Sequence, residues 1–309
     1  MPEKVKKSKN ISRRGDLLFH SLLLVWPVLQ FCVFYIGVNF NSFRLAFEGM
    51  NGKPTFEWFA NLFDPAQYYF DIILTAFLRS LKYYAISTVI SVPLALLFAF
   101  YIYKKHFGSK FFRLLLFLPS ILSSMVMVVL FNRFVNGALI AVIQDINPSF
   151  TKISLFSGAE GYDAYVIFFN IMIGFGTTVL IYSNSMGEIS PEVTEAAHLD
   201  GANTLQEIFH IVLPSIYSNI SVFIVTGLAT IFVNQYNLFS FFKDGVTNGG
   251  TLGYYIYLNV SSVAQDIADP SNALVYHQFS ALGLVLTAIT IPITFLVRYL
   301  LRRFGPSTD

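Results

Sequence analysis

Apolar residues in this chain fall in long unbroken runs, separated by short polar or charged stretches, rather than in strict alternation. A helix crossing a bilayer core of about 30 Å at about 1.5 Å per residue needs roughly 20 mainly apolar residues. Six segments meet that requirement: about 17–38, a second ending in "STVISVPLALLFAFYIY" and beginning as early as Ile72, then about 111–134, 165–185, 216–233 or beyond, and 279–300. Pro27, Pro93 and Pro119 fall inside spans, where kinks are tolerated when neighbouring helices satisfy the freed carbonyls. The first run is too long for a typical secretory signal core and lacks an Ala-x-Ala cleavage pattern, so it reads as a retained span. The pattern predicts an all-α membrane protein of six transmembrane helices.

Charge orients the spans. Lys4, Lys6, Lys7, Lys9, Arg13 and Arg14 precede the first span, Lys104, Lys105, Lys110 and Arg113 cluster between the second and third, and Arg298, Arg302 and Arg303 close the sixth. Thirteen of the 20 basic residues thus lie on one side, which the positive-inside rule makes cytoplasmic, with both termini. The expected organisation is a basic cytoplasmic segment over 1–16, one membrane domain over 17–303 with an inner loop at 186–214, and a cytoplasmic tail at 304–309. The outward segments, about 39–71, 135–164 and 236–276, are too short for a separate domain, and no internal repeat is present.

Composition agrees and removes alternatives. Charged residues are 12% of the 309, against roughly 25% in a soluble globular domain. A net charge of +2 gives no basis for a nucleic-acid partner. The single cysteine, Cys32, excludes a disulfide framework and a Cys-based zinc site. "NGKP" and "FGSK" lack the spacing of a P-loop, and neither H-E-x-x-H nor G-x-S-x-G occurs. No catalytic residue, metal ligand or cofactor of this chain is therefore predicted. The expected span cores also hold no Asp or Glu, which speaks against an ion-coupled transporter.

One inner loop breaks the charge rule. "EAAHLDGANTLQEIFHIVLP", residues 195–214, carries acidic side chains and histidines but no Lys or Arg, although it lies on the basic side. Locally it reads as a helical hairpin. Ser190 suits an N-cap, Pro191 the first helical position, and Glu192 the positive helix end. Gly201 suits a left-handed stop, and Thr204 with Glu207 has capping-box spacing for a second short helix. Leu213 and Pro214 open the fifth span. Ala196 and Ala197 let another surface approach closely, amid Glu188, Glu192, Glu195 and Asp200. Two readings stand at this point: a helix that plugs into a basic cleft of a cytoplasmic partner, or a solvated loop under the bundle.

Polar residues within spans are the candidates for a pathway. Asn170 and Gly174 lie one turn apart, offering an amide and a space, or else a helix–helix bond and a close-packing point. Asn234, Gln235 and Asn237 supply amides near the end of the fifth span, with Phe232 and Tyr236 available to stack on sugar faces. Taken as continuous helix, Gln235 comes out about 22 Å from the inner boundary, level with Asn170. Ser120, Ser123 and Ser124 sit beside Pro119, with Ser120 and Ser124 on one face; back-bonding at a kink is the competing reading. Arg79, Lys82 and Arg133 read as cations snorkelling to the interface.

The pattern Glu195, Ala196, Ala197, Gly201, Ile211, Leu213, Pro214 resembles the signature loop of permease subunits in binding-protein-dependent (type I) ABC importers. With Asp200, Ala202 and Pro191 it is similar to the carbohydrate branch. The resemblance extends to "KKHFGSKFFRLLLFLPSILSS" and "NQYNLFSFFKDGVTNGGTLGYYIY". It implies that the loop is a coupling helix docking on an ATP-hydrolysing subunit, with Glu195 meeting a basic residue there. It implies as partners a second permease, two ATP-binding cassette subunits holding MgATP, an extracytoplasmic solute-binding protein and membrane lipid, in a cell membrane, bacterial in origin. Similarity to maltose-type permeases implies a sugar site at Ser120, Ser124, Asn170, Ile173, Gly174, Thr177 and Gln235. An aromatic often stands where this chain has Ser120, and Thr177 is smaller than its counterpart, so the implied site differs in shape. The expected function is half of the pathway of a sugar or oligosaccharide importer. The alternatives are an acidic sugar or glycerophosphate-type cargo, an ion-coupled secondary transporter, or a scaffold that carries nothing.

Overall fold

The computed structural model describes residues 9–65, 68–149, 159–242, 250–264 and 270–306. Lys4, Lys6 and Lys7, parts of the segments expected to face outward, and residues 307–309 lie outside them. Among the described residues the elements are helices, namely α1 (Lys9–Gln30), α2 (Val38–Phe47), α3 (Glu57–Leu62), α4 (Tyr68–Tyr103), α5 (Ser109–Ile121), α6 (Ser124–Arg133), α7 (Ile140–Ile146), α8 (Ala159–Gly187), α9 (Pro191–Leu199), α10 (Thr204–Glu207), α11 (Leu213–Ala229), α12 (Leu238–Phe241), α13 (Leu252–Val263) and α14 (Pro270–Phe304). Wider turns at Phe31–Gly37, Phe134–Leu139 and Ile208–Val212 join α1 to α2, α6 to α7 and α10 to α11. Among the described residues six helical stretches are long and apolar enough to cross a membrane: Gly15–Phe47, Phe70–Tyr103, Ser124–Ile146, Tyr162–Gly187, Thr204–Ala229 and Asn272–Phe304. The all-α, six-span expectation holds.

The contacts divide the chain into two compact units. One comprises residues 1–64 and 266–285. Its core is Ala46, Trp58 and Ala281, with Phe47, Phe59, Leu62 and Leu284 packed around them. The Trp58 indole donates to the Glu48 carbonyl at 2.9 Å, and the His277 ring stacks on it at 5.5 Å. From Gly15 to Asn41 every side chain is exposed. An apolar helix with bare sides suits a lipid surrounding, because lipid tails are as apolar as the side chains they meet.

The second unit comprises residues 65–265 and 286–309. Here α4 and α8 run against each other. One half of this core is built on Tyr83, Phe131, Val166, Phe169 and Tyr254. The other is built on Ala95, Ala99, Val179, Tyr182, Met186 and Ile216. Helix α5 comes so close to α8 that a Cβ on Gly176 would lie 1.8 Å from the Leu116 carbonyl oxygen.

Two expected spans are corrected. The third is expected at about 111–134, but the chain breaks at Leu122 and Ser123, both extended (ψ 148° and 142°). The Ser123 hydroxyl accepts from Val126 N at 3.4 Å and caps a new helix, so the third span is Ser124–Ile146. Helix α5, with 13 residues, is about 20 Å long and too short to cross. The fifth span begins at Thr204 rather than near Ile216 and ends at Ala229. Residues 230–237 are not helical, so the height assigned to Gln235 by helical rise does not apply. Just before Pro214, whose missing N–H removes a helical bond, the widened turn Ile208–Val212 lets the helix continue.

Candidate docking loop and translocation pathway

The inner hairpin folds from its own sequence. The Ser190 hydroxyl accepts from Glu192 N at 3.3 Å, Pro191 opens α9, and Gly201 takes φ +82° at its end. The capping box lies one residue earlier than expected, at Asn203 and Gln206. Asn203 Oδ1 accepts from Gln206 N at 2.9 Å, and Gln206 Oε1 accepts from Asn203 N at 2.8 Å. This register turns Glu207 inward instead of leaving it as a capping carboxylate.

The hairpin therefore has two faces of different character. Glu192, Glu195, Ala196, Asp200 and Gly201 are exposed, as are Leu199 at 89%, Leu205 at 65% and Phe209 at 62%. Ala197, Ile211, Leu213 and Pro214 are half-buried, and Thr194, Glu207 and Val212 are buried. The Glu207 carboxylate, 1% exposed, lies 2.5 Å from Lys104 Nζ and 3.4 Å from His198 Nε2. Part of the acidity of this loop is thus balanced within the chain. Beside it, a cleft of about 970 Å³ is lined by Lys105, Lys110, Arg113 and Glu188, among others.

On α8, Asn170, Ile173, Gly174 and Thr177 form one stripe at helical spacing. Gly174 and Thr177 are exposed, and a Cβ on Gly174 would meet nothing within 4 Å. Close packing falls instead to Gly176, on another side of the helix. Asn170 is committed to the protein. Its Nδ2 donates to the carbonyls of Val166 and Tyr236, both at 2.8 Å, and its Oδ1 accepts from Asn237 Nδ2 at 2.7 Å. These bonds hold the non-helical segment after α11, where Tyr236 and Asn237 adopt left-handed φ of 50° and 57°. Thr251 Oγ1 donates to the Asn234 carbonyl at 3.2 Å on the same segment. Irregular backbone next to a span is satisfied by protein partners, as an apolar surrounding demands.

Gln235, half-buried, follows Asn234 in this segment. Phe232 is buried with its ring stacked on Phe77 at 4.6 Å, and Tyr236 lies edge-on to Tyr83 at 5.3 Å. Both faces expected to be available to sugars are engaged within the core. Ser120 is exposed and back-bonds to the Phe117 carbonyl at 2.7 Å; Ser124 is exposed at the first position of α6. The break at Leu122 separates these two serines, so they do not share one helix face.

The structure brings together charges that sequence reading left apart. Asp163, buried in the first turn of the fourth span, lies 2.7 Å from Lys82 Nζ and 3.5 Å from Arg79 Nε, and accepts from the Tyr83 hydroxyl at 2.8 Å. Arg79 and Lys82 are therefore ion-paired rather than snorkelling, and the membrane-spanning region does hold a carboxylate. Arg133 is exposed.

Six apolar helices with an exposed helical hairpin ahead of the fifth match a known group of proteins. The family described as "Binding-protein-dependent transport system inner membrane component" matches residues 91–309. The chain belongs to this family. It is an ABC transporter permease subunit, and such subunits are not themselves enzymes. The probable ABC transporter permease protein YurN of Bacillus subtilis is 30% identical over 226 residues, covering 70% of this chain and 77% of that protein. The multiple sugar-binding transport system permease protein MsmF of Streptococcus mutans is 27% identical over 151 residues, covering 48% of this chain; the match spans 52% of that protein, about half its length. The crystal structure of a bacterial ABC transporter involved in the import of the acidic polysaccharide alginate contains a chain of the same fold, with TM-score 0.74 and 21% identity over 96% of this chain and 98% of that one. In this permease the pairing of Lys104 with Glu207, and of Asp163 with Arg79 and Lys82, escaped the sequence reading. The signal available for them was an ionisable residue at the edge of an apolar run, which names no partner.

Proposed function

We propose that this permease forms half of the translocation pathway of an ATP-driven importer for a sugar or oligosaccharide. An extracytoplasmic binding protein delivers the cargo, a second permease completes the pathway, and two ATP-binding cassette subunits holding MgATP supply the energy. Both termini and the hairpin face the cytoplasm of a bacterial cell. The observation that carries this reading is the hairpin: Glu195, Ala196, Asp200 and Gly201 are presented outward while its other side is buried. A firmly seated helix with an exposed acidic and apolar face is suited to dock on a partner, and movement of that partner then rocks the spans joined to it. Glu195, Ala196, Ala197, Asp200, Gly201, Ile211, Leu213 and Pro214 form the coupling element.

The sugar assignment draws on the multiple-sugar description of MsmF and on the open α8 stripe. Thr177 supplies a hydroxyl and Gly174 the room for a ring, with Ser120, Ser124, Ile173 and Gln235 contributing further surface. Asn170 shapes this wall from behind. Asp163 faces both Arg79 and Lys82, which leaves that cluster one net positive charge.

The test is purification of the chain with its native partners, reconstitution in proteoliposomes, and ATP-dependent uptake of labelled sugars with competition by neutral and acidic saccharides. Uptake that requires ATP and the binding protein and is competed by saccharides supports the reading. Uptake driven by an ion gradient without ATP overturns it.

A further inference from the structure

We propose that Glu207 is a positioning residue: a buried carboxylate that clamps the docking hairpin to the inner end of the second span, so that displacement of α9 is passed directly to α4. This deepens the importer reading above and rests on it. Three elements meet at this one side chain. Glu207 ends α10 and is 1% exposed. Lys104, directly after α4, brings its ammonium to 2.5 Å from one carboxylate oxygen. His198, on α9, brings Nε2 to 3.4 Å from the other.

The arrangement is specific rather than incidental. The other carboxylates of the hairpin, Glu188, Glu192, Glu195 and Asp200, are exposed; Glu207 alone is turned inward. Lys104 is itself held, its ammonium lying over the rings of Phe100 and Tyr103 at 5.6 and 5.5 Å. Both rings belong to the last turn of α4, and Phe100 is in the buried core shared with Val212 and Ile216. A carboxylate taken out of water is tolerated only beside a compensating charge, and removing one partner leaves the other stranded. The hairpin therefore seats against α4 with the pair made, and it does not slide along α4 independently. Covalent routes from α9 to the membrane run back into α8 and forward through α10 and α11. The ion pair adds a further route, into α4, which packs along α8, the helix carrying Gly174 and Thr177.

The experiment uses the complete reconstituted transporter with Lys104→Glu, Glu207→Lys and the double exchange, at matched recovery of the complex. The readout is the ratio of ATP hydrolysis with loaded binding protein to hydrolysis without it, together with sugar uptake. Each single reversal should lower that ratio by about 10-fold, and the exchange of both charges should recover most of it, as expected for a directly coupled pair. Single variants with wild-type stimulation and uptake would overturn the inference, and so would losses that the double exchange does not repair. Where a reversal prevents accumulation in the membrane, Glu207→Gln keeps the shape and removes the charge. Stimulation lost in that variant with the ATPase subunits still bound supports the clamp, and stimulation retained refutes it. A wild-type chain that recovers no ATPase subunit would refute the importer reading itself, and the clamp with it.

Discussion

Asn237 donates a hydrogen bond to Asn170 across 67 residues of chain, at 2.7 Å, and so fastens the irregular segment after the fifth span to the middle of the fourth. With the bonds from Asn170 to the Val166 and Tyr236 carbonyls, this amide acts as the peg of the pathway wall. Asn170→Ala removes the peg and leaves groups of Tyr236 and Asn237 without partners. The expected cost is about 1–3 kcal/mol of stability. It is read as a lower melting temperature of the reconstituted protein, with reduced uptake; an unchanged melting temperature refutes the role.

Gly174 and Gly176 are predicted to part company. An added Cβ at Gly176 meets backbone of α5, which must move, whereas one at Gly174 meets nothing. Gly176→Ala should cost about 1–3 kcal/mol by overpacking. Gly174→Phe should leave thermal stability unchanged while lowering sugar uptake. Equal melting temperatures for Gly176→Ala and wild type would disprove the close approach.

Asp163 faces two cations. Asp163→Ala removes the carboxylate facing Arg79, whose side chain is only 14% exposed, and should cost about 3–5 kcal/mol. Lys82→Ala removes the more exposed partner, at 51%, and should cost no more than about 1 kcal/mol. Thermal unfolding of both variants checks the order, and reversal of that order would show that Lys82, not Arg79, is the principal counter-ion.

Glu195 is exposed on the docking face and contributes little to the fold of its own chain. Glu195→Lys should abolish ATP-dependent uptake with the protein still present in the membrane at wild-type abundance. Uptake assays beside quantitative immunoblotting test this, and full transport by the variant removes α9 from the coupling role.

The sequence by itself determined the number of spans, the helix at Pro191–Leu199 and the turn at Gly201. These are local properties. The length of an apolar run, a Ser before a Pro, and a glycine where φ turns positive each act within a few residues, and the loop motif sits at fixed spacing on one such hairpin. Tertiary structure decided the rest. The apolar run through "LPSILSS" reads as one helix because Leu and Ser fit either conformation, and only packing places the break at Leu122. Lys82 looks like an interfacial cation until Asp163, 81 residues later, is folded against it. Glu207 looks like a solvated or capping acid until the Asn203–Gln206 box sets the register that points it at Lys104. Run length and capping are encoded along the chain. The cost of burying a charge or an amide is met across the fold, so the partner that meets it appears only when distant helices come together.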